Sequence, residues 1–110
     1  MAYNHEAADR MRHILRRRKG VTERHMFGGI AFLVNGHMCC GLNGDRLMLR
    51  LGNAEAARAL SEPDASPMDF TGRPLKSMVY IEPAGYASDD DLGAWVDRAL
   101  QFAKSLPPKK

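Results

Sequence analysis

The stretch Ile30–Leu51, "IAFLVNGHMCCGLNGDRLMLRL", decides the fold. It holds three apolar runs, Ile30–Val34, His37–Leu42 and Arg46–Leu51, separated by Asn35-Gly36 and Asn43-Gly44. Asn-Gly is the dipeptide that a two-residue type I′ hairpin favours, because both central residues take positive φ and these two types tolerate it. The segment therefore reads as a three-stranded antiparallel meander. With two-residue corners, Val34 stands opposite His37 and Leu42 opposite Asp45, which fixes every cross-strand row. One face then carries Ala31, Leu33, Met38, Cys40, Leu42, Leu47, Leu49 and Leu51, nearly all apolar, and calls for helices to cover it. The other carries Ile30, Phe32, Val34, His37, Cys39, Arg46, Met48 and Arg50. Its apolar middle, Phe32, Cys39 and Met48, is rimmed by arginine and histidine, the pattern of a contact surface.

Outward from the meander, the flanks read as alternating helices and strands. Asn4 can cap a helix whose apolar positions Ala7, Met11, Ile14 and Leu15 recur at helical spacing, with Gly20 placed to end it. An extended stretch, roughly Val21 to Phe27, leads into Gly28-Gly29. Downstream, Asn53 is placed to cap a short helix over Ala54–Leu60, and Pro63 through Pro67 form a loop. Two strands follow, Met68–Phe70 and Leu75–Glu82, joined by Thr71–Pro74. Ser88 opens the last helix, with Asp89, Asp90 and Asp91 in its first turn and an apolar stripe of Leu92, Trp95, Val96, Ala99, Phe102, Ala103 and Leu106. The reading is an α+β fold of two layers: an antiparallel sheet of about five strands with helices on one face, in the order α-β-meander-α-β-α.

Composition bounds the rest. At 110 residues, with 45% hydrophobic and 26% charged side chains, residues 1–110 make one compact domain. The longest apolar stretch, Gly28–Val34, is far too short to span a bilayer, and the N-terminus lacks the charged-then-apolar pattern of a signal peptide. Cys39 and Cys40 are neighbours, so they cannot staple distant parts of the chain. A cytoplasmic protein without a membrane segment is expected. The net charge of +3 comes largely from one run, Arg16–Lys19, without which it falls to −1. The surface as a whole is not the cationic one of a nucleic-acid binder.

Each candidate for chemistry has a plainer explanation. Phosphate loops put their glycines between a strand and a helix. Gly28-Gly29 leads into a strand, so the pair reads as a tight bend or a close backbone approach. Of His37, Cys39 and Cys40 only two can share a sheet face, too few for a metal site. No Ser or Cys is placed with a base and an orienting third group, so no nucleophile is expected. Asp89–Asp91 suit a helix N-terminus. Arg16–Lys19 suits a helix C-terminus, lacks interleaved aromatics, and supports at most weak association with nucleic acid.

Four segments in order carry a family resemblance: "MFGG" at Met26–Gly29, "GDRLMLRLG" at Gly44–Gly52, "MDFTGRPLKSMVYI" at Met68–Ile81, and a last helix built on Leu92 and Trp95. Over nearly its whole length the sequence resembles the N-terminal domain of the TfoX/Sxy competence regulators and their short bacterial relatives. The resemblance implies an α+β domain, an antiparallel sheet with helices packed on one face, no established enzymatic chemistry, and regulation through protein contacts. Full-length competence regulators carry a second, helical domain after this one, and the sequence to Lys110 does not include it, so only the domain type and the broad expectation of regulation through protein contacts are carried over. The expectation is a non-enzymatic regulatory or adaptor domain that needs no cofactor or metal and forms a homodimer or docks a protein partner. Phe32, Met48, Arg46, Arg50 and His37 would form the contact surface, and Gly28, Gly29, Asn35, Gly36, Asn43 and Gly44 would set the sheet geometry. Two alternatives stand beside it: a small-molecule or nucleotide-binding module with a cleft near Phe27, Gly28 and Tyr80, and weak DNA association through Arg16–Lys19.

Overall fold

The structure, a computed structural model, describes residues 4–16, 18, 20–26, 29–69 and 74–107. Along the chain run α1 (His5–Leu15), β1 (Val21–Met26), β2 (Gly29–Val34), β3 (His37–Asn43), β4 (Arg46–Arg50), α2 (Asn53–Ala59), β5 (Ala65–Asp69), β6 (Pro74–Ile81), a 3-10 turn (Pro83–Tyr86) and α3 (Asp89–Ser105). The strands form one antiparallel sheet in the order β1-β2-β3-β4-β6-β5, and all three helices contribute to a single core on one of its faces. This is the α+β two-layer fold that the sequence implies. The sheet has six strands because Val21–Met26 pairs with β2 along its whole length, from Val21↔Val34 to Met26↔Gly29. β5 begins earlier than expected. It takes in Pro67, which an edge strand tolerates because an outward N–H has no ladder partner to lose.

The helix starts follow their capping residues. Asn4 Oδ1 accepts the Ala7 N–H at 3.0 Å, and Ser88 Oγ accepts the Asp91 N–H at 3.0 Å. Asn53 does not cap α2: the N-cap is Gly52, and no side chain supplies the bond. α1 stops at Leu15, ahead of Gly20. Gly20 (φ 78°) instead offers its carbonyl to the Asn35 N–H at 3.1 Å, seating the β2–β3 corner against the start of β1.

That corner forms as expected, with Val34 opposite His37 and positive φ at Asn35 (52°) and Gly36 (85°). Two departures follow, and the first changes which side chains face the helices. Beyond Leu33↔Met38 the register shifts, so that Phe32 stands opposite Cys40, Ala31 opposite Gly41 and Ile30 opposite Leu42. Cys39 is the extra residue of a β-bulge, and an extra residue exchanges the two faces of a strand. The second corner moves by one residue: Asn43 pairs with Arg46, and the loop is Gly44-Asp45, with Gly44 (φ 61°) at the first position, where a type II′ corner wants glycine. The N-terminus of α1 and the 3-10 turn hold it there. Asn4 donates its backbone N–H to the Gly44 carbonyl (2.9 Å) and its side-chain amide to Asp45 (2.8 Å), and the Tyr86 hydroxyl donates to the Asp45 carbonyl.

The helix-side core therefore contains Ile30, Phe32 and Val34 together with Cys40, Leu42, Leu47, Leu49 and Leu51, packed under Ala7, Met11, Leu15, Ala56, Ala59, Leu92, Val96 and Ala99. Cys39 joins the same core. Ala31, Leu33 and Met38, expected beneath the helices, belong to the opposite face. There Met48, Met68, Met78 and Tyr80 form a second buried cluster with Met38 packed against it. Burying each large apolar side chain stabilises the fold by about 1.5–3 kcal/mol relative to exposure. No helix of the described residues is long and apolar enough to cross a membrane.

Candidate functional site

The surface expected from the unbulged register does not form. Phe32 is 1% exposed beneath the helices, and His37 lies on the same side, buried, with its Nε2 bonded to the Pro107 carbonyl past the end of α3. Met48 does lie on the helix-free face, but at 0% exposure, closed in by the methionine cluster. Arg46 and Arg50 share that face and are held within the molecule. The Arg46 guanidinium sits 3.8 Å from the Tyr80 ring centroid, pairs with Glu82 at 2.9 Å and donates to Ser66 Oγ at 3.1 Å. That of Arg50 lies 5.5 Å from the Phe102 ring centroid. The five residues are thus split between two faces by the bulge at Cys39.

The small residues expected to set the sheet geometry lie in different settings. Gly29 has no room for a side chain, since a Cβ there would stand 1.9 Å from the Leu42 carbonyl oxygen. Its role is the close approach of β2 to β3, and Gly28 lies outside the described residues. Asn35, Gly36 and Gly44 occupy corners, whereas Asn43 pairs in the ladder. The cleft expected near Phe27, Gly28 and Tyr80 has only Tyr80 among the described residues, and its ring is buried beneath Arg46. Cys39 and Cys40 are free thiols. The hydrogen bond from Cys39, together with burial, pushes the Cys40 thiol well above the usual cysteine range, so it stays protonated near neutral pH. Among the described residues no group of three His, Cys, Asp or Glu side chains could hold a metal ion.

Two surface features remain, and both involve β1. The first is its free edge. The Val34↔His37 corner and the β1–β2 register fix which backbone groups point where, because the residues closing a two-residue hairpin bond to each other and the pattern then alternates across β2 to β1. Thr22 and Arg24 bond to β2, while Val21 and Glu23 direct their N–H and C=O groups away from the sheet. The side chains of Thr22, Glu23, Arg24 and His25 are exposed. The opposite edge, β5, is interrupted by Pro67 and by a register shift between Pro67 and Met68.

The second is a cleft of about 420 Å³ between the end of α1 and β1. Leu15, Val21 and Phe32 form its floor, and Arg12, Arg16 and Arg18 stand around it. Arg12 is fixed by Asp9 (2.8 Å) and by Glu23 on β1 (2.9 Å), and Arg18 by Asp97 on α3 (3.1 Å). Of the Arg16–Lys19 run, Arg17 and Lys19 lie outside the described residues. Sequence reasoning missed both features. The stretch Val21–Met26 alternates too weakly to announce an edge strand, and without the bulge Phe32 could not be placed under α1.

Comparison with curated proteins and with solved structures gave no match. A family profile described as the TfoX N-terminal domain matches residues 13–103, a span that holds the whole sheet and almost all of α3. The order of elements, the two-layer packing and that match agree: the chain belongs to the TfoX N-terminal domain family.

Proposed function

We propose that this domain is a non-enzymatic regulatory module working through protein contacts, and that β1 accepts an extended segment of a partner protein as an added strand. Family membership supports a regulatory domain related to the competence regulators. The observation that carries the finer reading is the asymmetry of the sheet edges: β5 is blocked by Pro67 and a register break, while β1 leaves the groups of Val21 and Glu23 outside the ladder. Sheets that only need protection from chance pairing blunt both edges. An extended ligand on such an edge gains main-chain hydrogen bonds from the strand and specificity from alternate side chains. A second copy is the poorer occupant. The two longest antiparallel β1–β1 pairings that keep the outward groups in register set either Glu23 against Glu23 or Arg24 against Arg24, and directly opposed like charges destabilise a sheet. A homodimer would therefore need another surface.

The test is affinity capture with wild type, Glu23→Ala and Glu23→Pro, each checked for an unchanged fold by circular dichroism. The alanine variant keeps the outward N–H, and the proline variant removes it from a position that makes no bond to β2. A partner kept by wild type and Glu23→Ala but lost with Glu23→Pro, and slowing amide exchange at Val21 and Glu23, supports the reading. A partner kept by Glu23→Pro, or one that leaves those amides unprotected, counts against it.

A further inference from the structure

The basic run that begins at Arg16 plays no part in an edge-strand contact, yet two of its members stand over a cleft with an apolar floor. We propose that this cleft binds a small organic phosphate, a flat aryl or nucleoside monophosphate, with its ring on Val21, above the buried Leu15 and Phe32, and its phosphate held by Arg16 and Arg18. Its volume of about 420 Å³ falls within the range of small-ligand sites, about 300–1,000 Å³.

The three arginines have different duties. Arg12 spends its donors on Asp9 and on both carboxylate oxygens of Glu23, so it is a wall that ties α1 to β1. Arg18 gives one guanidinium nitrogen to Asp97, which orients it and leaves further donors of its planar fork. Arg16 is exposed, and among the described residues its guanidinium meets no carboxylate. One oriented and one uncommitted guanidinium beside an apolar floor suit a ligand with a doubly charged end and a flat apolar end. The carbonyl end of α1 does not oppose the anion with free lone pairs alone, since the His13 and Leu15 carbonyls already accept the N–H groups of Arg16 and Arg18. Duplex DNA fits less well. It needs a row of free cations, whereas here Glu23 and Asp97 stand beside the arginines.

Calorimetry at low salt tests this on the full chain with adenosine 5′-monophosphate and phenyl phosphate as probes, and with adenosine, inorganic phosphate and a short DNA duplex as controls. At least one monophosphate is expected to bind at least tenfold more tightly than either adenosine or inorganic phosphate. Arg16→Ala should weaken that binding at least tenfold while leaving the ligand-free melting temperature unchanged. A floor variant, Val21→Ser, should weaken the monophosphate but not inorganic phosphate. Monophosphate binding no tighter than that of inorganic phosphate overturns the proposal. So does binding unaffected by Arg16→Ala, or a duplex that binds more tightly than either monophosphate.

Discussion

Replacing Gly29 by alanine puts the geometry of the sheet under direct strain. A Cβ on Gly29 would lie 1.9 Å from the Leu42 carbonyl oxygen and 3.0 Å from its carbon, and these are backbone atoms that cannot swing aside. Ordinary contact begins near 3.4 Å, so β2 and β3 must part locally by more than an ångström. That separation disrupts the ladder beside Ile30↔Leu42. Two backbone hydrogen bonds at about 1 kcal/mol net each, plus about 1–3 kcal/mol of packing strain, give a loss of about 3–5 kcal/mol. Against a total stability of about 5–15 kcal/mol, and at about 4 °C per kcal/mol, melting should fall by about 12–20 °C. Gly44→Ala is the control. Nothing lies within 4 Å of its Cβ position, so only its φ of 61° costs energy, about 1 kcal/mol and a few degrees. Thermal melts followed by circular dichroism separate the two variants. A Gly29→Ala protein that melts no lower than Gly44→Ala would refute the close-approach reading.

Four further substitutions probe other parts of the structure. Phe32→Asp should leave little folded protein at 25 °C, since it removes a fully buried ring and sets a carboxylate among apolar neighbours, whereas Arg24→Ala on exposed β1 should change stability by no more than about 0.5 kcal/mol; urea titration reads both. Tyr86→Phe removes the donor to the Asp45 carbonyl and should cost about 1–2 kcal/mol, or about 4–8 °C in the same melts. Glu55 accepts hydrogen bonds from Arg58 (2.8 Å) and Arg98 (2.6 Å), and these hold its carboxyl below the usual glutamate range. A carboxylate depressed on folding adds stability above its unfolded pKa, about 4.3, and loses it as pH falls through the folded value. Glu55→Gln should therefore melt below wild type at pH 7, and the gap should narrow as pH falls below about 4.3; a gap that does not narrow there would exclude this linkage.

Much of the architecture was legible because it is written in local chemistry. The Asn35-Gly36 corner, the Asn4 and Ser88 caps and the stripe from Leu92 to Ala103 each need only neighbouring residues to specify them. The faces of the meander were not legible, because side-chain alternation is read by counting and one bulged residue reverses the count. Nothing in "HMCCGL" marks Cys39 as that residue: both cysteines are small and apolar enough to be buried, and both are. The second corner moved because Asn4 and Tyr86, from distant parts of the chain, bond to Gly44 and Asp45, a tertiary preference that overrides the dipeptide's own. Of the residues expected on a contact surface, only Arg46, Met48 and Arg50 kept their face, since they lie on the far side of the bulge from Phe32. The site features on β1 depend on which edge of the sheet is left over, and no window of sequence contains that.

The placement of Phe32 carries the rest, because it floors the cleft and lies on the face of the sheet that the helices cover. Cross-strand nuclear Overhauser contacts in the native protein test it most directly. The bulged register is expected to set Phe32 opposite Cys40, with its ring protons close to Leu15 and Val21. Contacts that set Phe32 opposite Cys39, with the ring against Met48, would contradict it.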